Sequence, residues 1–552
     1  RSVHFCRDRY FYPLISWRKH FMGTTALRQT SKSRDFFLVL FFCLIGILAR
    51  LILIGQVPYG LNQDEASAGY EAWSILNYGI DRHGISYPVH LIAWGSGQNI
   101  AYSWFCMPFI ALFGLSEFTV RLPMALIGCV SVVLFYFFLD NVTPLPNHRK
   151  YVLFGTLLFA ICPWHIMKSR WGLESNLFPD LILWGSFCLS IFCRKHSGGA
   201  GYLYAAFVIF GFSAYSYGTS YCFLPFFVLP LLFYLLRTKR ITLRQGILAL
   251  ALLTLVALPI ILFVLINTFQ LSPLQLGPFT IPRLYQNRHT EVTSVFHGNI
   301  LLNSLKNFFL ALGVMFFQHD SLLWNATHLF GILYPVTLPL TLWGIFCCFS
   351  KFRSRCKEQP EYIVNFWFLS GVALMFIVDP NINRLNILMI PWIYYTAVGT
   401  AEFTGRFRRG LPIAALLFTA AFFTFVGFYF THYAQKLKPY FFDGLGTAIT
   451  QTAESDASRI YISSKVNMPY IFVLFYMQID PFTYQETAEI SNPHAAFEKV
   501  SSMGRYIFSI PESPNPAEDA VYILSCDELA GFDSANFHLT PCGTFYIAEP
   551  LA

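Results

Sequence analysis

Residues 36–65 read FFLVLFFCLIGILARLILIGQVPYGLNQDE: an apolar run, a short Gly/Pro turn, then two adjacent carboxylates, Asp64 and Glu65. An α-helix needs about 20 residues to cross the hydrocarbon of a bilayer, and residues 36–55 supply that length. The two acids therefore fall where lipid gives way to water. Elsewhere the chain repeats the apolar half of this pattern. Of its 552 residues 55% are hydrophobic and 12% charged, with 59 Phe, 30 Tyr and 11 Trp. A soluble chain carries about 25% charged residues, so this one cannot cover a water-facing surface. Disorder, a β-barrel and a soluble enzyme are excluded, and a polytopic α-helical membrane protein is predicted.

The apolar blocks predict about eleven spans: 36–55, 119–139, 151–168, 177–193, 202–217, 221–236, 247–267, 329–349, 361–378, 385–401 and 411–430. The net charge of +8 does not point to nucleic acid, because Lys and Arg sit in short clusters between those blocks. That distribution is a topology signal, since basic residues are retained on the cytoplasmic side. Arg7, Arg9, Arg18, Lys19, Arg28, Lys32 and Arg34 place the N-terminus inside. Every second connector agrees: Arg149 and Lys150; Arg194 and Lys195; Arg237, Lys239, Arg240 and Arg244; Lys351, Arg353, Arg355 and Lys357; Arg406, Arg408 and Arg409. Keeping these clusters inside requires 202–236 to cross twice, broken near Gly218. It also makes 99–115 and 300–317 interfacial helices on the outer side. The outward connectors are then 56–118, 268–328 and everything after about 431.

Three regions follow: a basic cytoplasmic N-terminus (1–35), a transmembrane domain (36–430) and a small extracytoplasmic α/β domain (431–552). In the last, the runs at 459–463, 470–476 and 521–525 read as strands between Pro, Asn and Gly turns. Residues 1–21 have no apolar core of a signal peptide and, because Met22 follows, read as an upstream translation artefact. The 13 cysteines show no ligand-like CxxC spacing and mostly behave as small hydrophobes. Cys526 and Cys542, in a polar region, are a candidate disulfide in an oxidising compartment.

The candidate chemistry lies in the outward segments. Asp64 and Glu65 can be a solvated pair, but a carboxylate partly desolvated at the membrane boundary is a competent proton acceptor. The run Pro163 to Asn176 holds His165, Lys168, Arg170 and Glu174 at the outer end of a span, where cations run against the topology rule. Charges near the membrane core cost roughly 2.5–3.5 kcal/mol unless paired. Either Arg170 and Glu174 form an ion pair, or the cations receive an anion while Glu174 orients a hydroxyl. Arg384 with Asp379, and Arg121, form a third set, although a lone outward Arg can simply snorkel to lipid phosphate. Arg283, Arg288 and His289 are possible anion contacts. No phosphate loop, dinucleotide GxGxxG, HExxH or zinc spacing occurs, so ATP-driven transport and nicotinamide chemistry have no support. The Asn325-Ala326-Thr327 sequon matters only in a eukaryotic secretory pathway.

Asp64-Glu65-Ala66 with Gly69-Tyr70, Phe113-Gly114-Leu115-Ser116 before Arg121-Leu122-Pro123, His165 with Ser169-Arg170, Glu174-Ser175-Asn176, and Arg384 form an ordered series over about 430 residues. This series resembles the GT-C integral-membrane glycosyltransferases, in particular the protein O-mannosyltransferases (glycosyltransferase family 39) and lipid A aminoarabinose transferases. The resemblance implies a polyprenyl-phosphate sugar donor, a site at the outer membrane face and inversion at the anomeric carbon. It puts Asp64 in the catalytic-base position and Glu65 in an acceptor-binding one, with Glu174 at the place of a second acid that several relatives fill with Asp. Gln98 stands where the aminoarabinose transferases have a Lys. The tail lacks the luminal repeats of eukaryotic O-mannosyltransferases, which favours a bacterial-type relative.

The expected assignment is Asp64, Glu65 and Glu174 as catalytic groups, Arg384, Arg170 and Arg121 on donor phosphate, and Tyr70, His165 and Gln98 on substrate. Hexosyl or mannosyl transfer to a protein, lipid or glycan acceptor is expected, with membrane lipids as surroundings and no nucleic acid. No cofactor is required; a divalent cation is possible but unsupported by the residues. Two other functions share this architecture: a transporter or flippase of lipid-linked sugars, and a non-catalytic sugar-lipid binding scaffold. Transporters typically carry paired repeats and midplane helix breaks, whereas these carboxylates lie in outward loops.

Overall fold

The computed structural model describes residues 26–144, 148–194, 199–286, 295, 298–352, 354–355, 359–407 and 409–551. Residues 1–21 with their basic cluster, and Lys195, Arg288, His289, Arg353, Lys357 and Arg408, lie outside the described residues.

Apolar runs with few breakers become helices: α1 (Ala26–Leu51), α2 (Gln63–Tyr78), α3 (Ala101–Phe113), α4 (Glu117–Val142), α5 (His148–Ala160), α6 (Pro163–Ser169), α7 (Glu174–Arg194), α8 (Ala200–Ser213), α9 (Ser220–Arg237) and α10 (Leu243–Phe269). After the hairpin β1 (Leu274–Leu276) and β2 (Phe279–Ile281) come α11 (Ile300–Phe317), α12 (Leu338–Ser350), α13 (Tyr362–Leu374), α14 (Met389–Thr404) and α15 (Gly410–Phe428), which continues through a wider turn to Leu437. Six of these, α4, α7, α9, α10, α11 and α15 with its continuation, are long and apolar enough to cross a membrane; α5 and α6, bent by 48° at Pro163, make a seventh.

The protein is thus a helical polytopic membrane protein, but among the described residues length and composition do not reach eleven spans. The reason is that several blocks fold as short or broken helices. The run 202–236 does break into two helices around Gly218, but α8 has only 14 residues. Helix α3, with 13 residues, is likewise too short to cross. Helix α11, expected to be interfacial, has the length and composition of a span, with only 11% of its apolar window covered by protein.

The basic connectors gather at one end of the bundle. Arg149 pairs with Asp35, Arg194 with Asp140 at 2.8 Å, and Arg355 with Glu361, while Arg240 stacks on Tyr362. Asp35 and Arg50 lie fifteen residues apart on α1, about 22 Å at the α-helical rise, so Arg50 marks the opposite end. Helices α12 and α14 touch backbone to backbone: a Cβ on Gly344 would lie 1.9 Å from the Tyr395 carbonyl, and one on Gly399 1.8 Å from that of Leu340. Small residues allow such approach where no hydrophobic drive separates helix from lipid.

The C-terminal domain comprises α16 (Leu445–Ala453), α17 (Pro469–Met477), α18 (Pro481–Thr487) and a seven-stranded mixed sheet of order β4-β5-β6-β3-β7-β9-β8. Its strands are β3 (Arg459–Ile462), β4 (Ala488–Ile490), β5 (Val500–Met503), β6 (Tyr506–Ile507), β7 (Ala520–Ser525), β8 (Phe537–Cys542) and β9 (Phe545–Pro550). The expected strands at 459–463 and 521–525 form; the expected strand at 470–476 is instead the helix α17. Tyr470 to Phe475 are all buried, and a short run buried on every face shows no period to separate helix from strand. Cys526 and Cys542 are not bonded: their thiols donate to the Thr544 carbonyl and to Gln451 Oε1. Asn325 of the sequon is buried and donates to Asp320 at 2.8 Å.

The domain sits on the segment 56–118, between α1 and α4. Tyr70 donates to the Ile479 carbonyl at 2.7 Å, Tyr476 to Glu117 at 2.6 Å, and the Glu498 amide to the Trp94 carbonyl at 2.9 Å. One continuous hydrophobic core runs from the bundle into it.

Candidate active site

Helix α2 begins immediately past the first long helix because Asn62 caps it. The Asn62 side chain accepts from the Asp64 amide at 3.0 Å, and Glu65 reaches back to the Asn62 amide at 3.2 Å, a reciprocal cap that satisfies two otherwise orphaned donors. Gly79, at φ 72°, ends the helix. Asp64 consequently stands half-buried on the first turn, where the helix dipole favours a carboxylate.

Its neighbour Glu65 points inward and is fully buried. Arg121 clamps it with Nε at 2.9 Å and Nη2 at 3.0 Å, while the Gly172 amide donates to it at 2.8 Å. The rest of the Arg121 guanidinium holds the loop leading into α2, donating to the carbonyls of Pro58 at 2.7 Å and Gly60 at 2.6 Å. Arg170, also expected on donor phosphate, is instead buried under the last turn of α1. It donates to the carbonyls of Ala49, Arg50, Ile52, Leu53 and Val57 at 2.6–3.3 Å, groups that a helix end leaves unpaired and that favour a cation.

His165 lies within a sealed chain of charges. Arg50 donates to its Nδ1 at 3.1 Å, which fixes the neutral tautomer with the proton on Nε2, and Nε2 donates to Asp180 at 3.2 Å. Lys168 closes the chain on Asp180 at 2.7 Å and also donates to the Asn176 carbonyl. Tyr70 is buried at the seam with the C-terminal domain, and Gln98 is buried with its Oε1 accepting from Ser67 at 3.0 Å.

Asp64, Glu174 and Arg384 remain partly exposed. Glu65 binds Gly172, and Asn386 donates to the Ser175 carbonyl at 2.7 Å. The turn 172–176, which carries Glu174, is thereby tied on one side to the residue beside Asp64 and on the other to the loop bearing Arg384. Glu174 also acts electrostatically on Tyr221, to which Asn99 donates at 2.8 Å. Arg384 pairs with Asp379 at 2.7 Å, and the Asp379 side chain is 59% exposed. An exposed pair of this kind is worth about 0–1 kcal/mol, so a phosphate can displace the carboxylate. The corresponding exchange at Arg121 or Arg170 would open a buried network.

Sequence reasoning missed several of the partners to which these buried charges are bonded. Arg50 and Asp180 are the lone charges within the apolar runs 36–55 and 177–193, a signal that each needs a buried counterpart. Glu71 and Arg82 form another fully buried pair, 3.1 Å apart, with Arg82 donating to Ser67 at 3.0 Å and lying 4.7 Å over Trp94. Burial pushes the Glu71 and Asp81 carboxyls up. Burial, reinforced by the adjacent Arg82, pushes His83 down to about 3, and its Nε2–H donates to the Ala93 carbonyl. Among the described residues no group of three His, Cys, Asp or Glu side chains is placed to hold a metal.

Residues 98–266 match the family model of the dolichyl-phosphate-mannose-protein mannosyltransferases. No curated protein sequence matches the chain. Among solved structures, ArnT of Cupriavidus metallidurans bound to undecaprenyl phosphate is similar at 12% identity and a TM-score of 0.52, over 92% of this chain and 97% of that one. Its apo form gives 14% and 0.53 over 94% and 98%. The oligosaccharyltransferase of Archaeoglobus fulgidus, in complex with Zn and sulfate, is similar at 12% identity and 0.51 over 80% of this chain and 61% of that one. The chain thus shares its fold with ArnT and with the archaeal oligosaccharyltransferase, and its residues 98–266 are similar to the mannosyltransferase family.

Proposed function

We propose that the protein transfers a sugar from a polyprenyl-phosphate donor to an acceptor hydroxyl at the outer membrane face, with inversion. The observation that carries this reading is a pair of ties on the segment bearing the partly exposed Glu174: Gly172 donates to Glu65, the neighbour of Asp64, and Ser175 accepts from Asn386, two residues past Arg384. ArnT is bound to undecaprenyl phosphate, and the Archaeoglobus fulgidus AglB is in complex with an inhibitory peptide and a dolichol-phosphate at 13% identity and a TM-score of 0.50. Polyprenyl phosphates are thus bound by two proteins of this fold. The positive connectors favour a cytoplasmic N-terminus, which makes the C-terminal domain extracytoplasmic.

Asp64 takes the proton of the acceptor hydroxyl as its oxygen attacks the sugar C1, and the C1–O bond to phosphate breaks. Charge growing on the departing lipid phosphate meets the Arg384 guanidinium as it leaves Asp379. Glu174 orients the sugar or acceptor. Glu65, Arg121 and Arg170 shape the loop that presents Asp64. The sequence reading placed Arg121 and Arg170 on the phosphate, but their buried, filled geometry fits this supporting part better. A phosphate leaving group with a waiting guanidinium needs no cofactor. A transporter reading gains nothing from Arg50, Lys168 and Asp180, because these buried charges are bonded through His165, by the Lys168–Asp180 pair and to carbonyls.

The test is transfer from a radiolabelled polyprenyl-phosphate hexose in proteoliposomes. Asp64→Asn is expected to abolish transfer while donor binding persists. Turnover like that of the wild type by this variant would remove the base assignment, and absence of transfer by the wild type across a donor panel would remove the enzymatic reading.

A further inference from the structure

A cleft of about 470 Å³ opens on the other side of the loop that Arg121 holds, at the seam with the C-terminal domain. Its volume is that of a small-molecule site, about 300–1,000 Å³. Gln56, Tyr59 and Glu117 line it from the membrane domain, and Thr447, Gln451 and Thr540 from α16 and β8. No Lys or Arg lines it, and its other charge, Asp443, is paired with Lys438 at 3.0 Å. A phosphate or sulfate would meet the Glu117 carboxylate, while Lys438, 4.6 Å over the Tyr59 ring, is already paired with Asp443. No Leu, Ile, Val, Met or Phe lines it either, so a lipid tail would find no apolar wall. Amides and hydroxyls that both donate and accept, beside one aromatic ring, suit a neutral ligand rich in hydroxyls.

The walls are preformed. Gly60 at φ 75° lets the loop before α2 approach the C-terminal segment, and Gly444 at φ 90° lets the start of α16 approach β8: a Cβ would lie 2.1 Å from the Phe441 carbonyl at the first and 1.9 Å from the Cys542 carbonyl at the second. Thr544 pins the Asp443 carbonyl through its amide at 2.8 Å and its hydroxyl at 2.9 Å. Behind the cleft, the Gly60 carbonyl accepts from Arg121, which holds Glu65 next to Asp64.

We propose that this cleft is a saccharide subsite that takes the non-reacting, uncharged part of a glycan acceptor. The role as acceptor subsite rests on the glycosyltransferase reading; the binding itself does not. The test uses the full chain in nanodiscs and saturation-transfer NMR with mannotriose and chitotriose, against a sulfated trisaccharide. At least one neutral trisaccharide is expected to bind and the sulfated one not. Thr447→Trp, an exposed helix position, fills the cleft, and Gln451→Ala removes an amide without adding bulk. Both are expected to weaken binding tenfold or more while donor hydrolysis by water stays unchanged. Failure of both neutral sugars to bind, preference for the sulfated one, or binding indifferent to both variants overturns the subsite. Loss of donor hydrolysis in the wild type with saccharide binding intact would count against the enzymatic reading and not against the subsite.

Discussion

Arg121→Ala separates two physical roles for the same guanidinium. As a phosphate ligand, Arg121 would cost donor affinity and little stability. In the structure it is fully buried, with two bonds to Glu65 and one each to the carbonyls of Pro58 and Gly60. Its removal leaves the Glu65 carboxyl group in a sealed site with only two amide donors. Breaking one side of a buried ion pair costs roughly 3–5 kcal/mol, and each lost carbonyl bond about 1 kcal/mol more. Arg121→Ala is therefore expected to lower the thermal midpoint of the detergent-solubilised protein by several degrees, and to reduce kcat with little change in donor KM, because the loop presenting Asp64 is no longer held. Glu65→Leu combined with Arg121→Met should recover most of the stability, since no unpaired charge remains, without recovering kcat. The measurements are thermal size-exclusion profiles and transfer rates over a donor series. A single variant as stable as the wild type with only a raised donor KM would refute the clamp and return Arg121 to the phosphate.

Asp64→Asn should reduce transfer at least 100-fold, the low end of what a general base contributes, with thermal stability near that of the wild type because the cap at Asn62 survives; a smaller loss excludes it as the base. Arg384→Ala should raise donor KM about tenfold, or about 1.4 kcal/mol, with Lys restoring it in part; equal effects on donor and acceptor would make the residue structural. His83, held neutral with its folded pKa near 3, leaves the unfolded chain with the greater proton affinity. The first outer loop should accordingly lose stability as pH falls from about 6.5 towards 3, read as hydrogen exchange in residues 79–98, and His83→Gln should flatten that dependence. Gly399→Leu should prevent helices α12 and α14 from closing and abolish a folded monodisperse protein; normal folding would show that their backbone contact is dispensable.

How far the site was legible follows from chemistry that is local or distant. The acids just past the first apolar run and the break near Gly218 are local patterns of residue type, and the structure places a helix start and a helix break at those points. Arg121, Arg170 and Lys168 were recognisable as cations in costly places, but their partners were not. Glu65 lies 56 residues from Arg121, and the carbonyls of α1 more than a hundred from Arg170. A charge in an apolar run announces that a counterpart exists without saying which. The segment 470–476 was misread for a related reason: burial on every side erases the period that distinguishes helix from strand.

The sequence by itself determined that the chain is a helical membrane protein with acids just past its first long helix, because apolar block length and charge spacing are properties of the chain before it folds. Only the tertiary structure decided which charges are spent inside and which keep contact with the outside. That choice depends on the distances between segments remote in sequence, and on burial that leaves Arg121 and Arg170 filled while Asp64, Glu174 and Arg384 stay partly exposed.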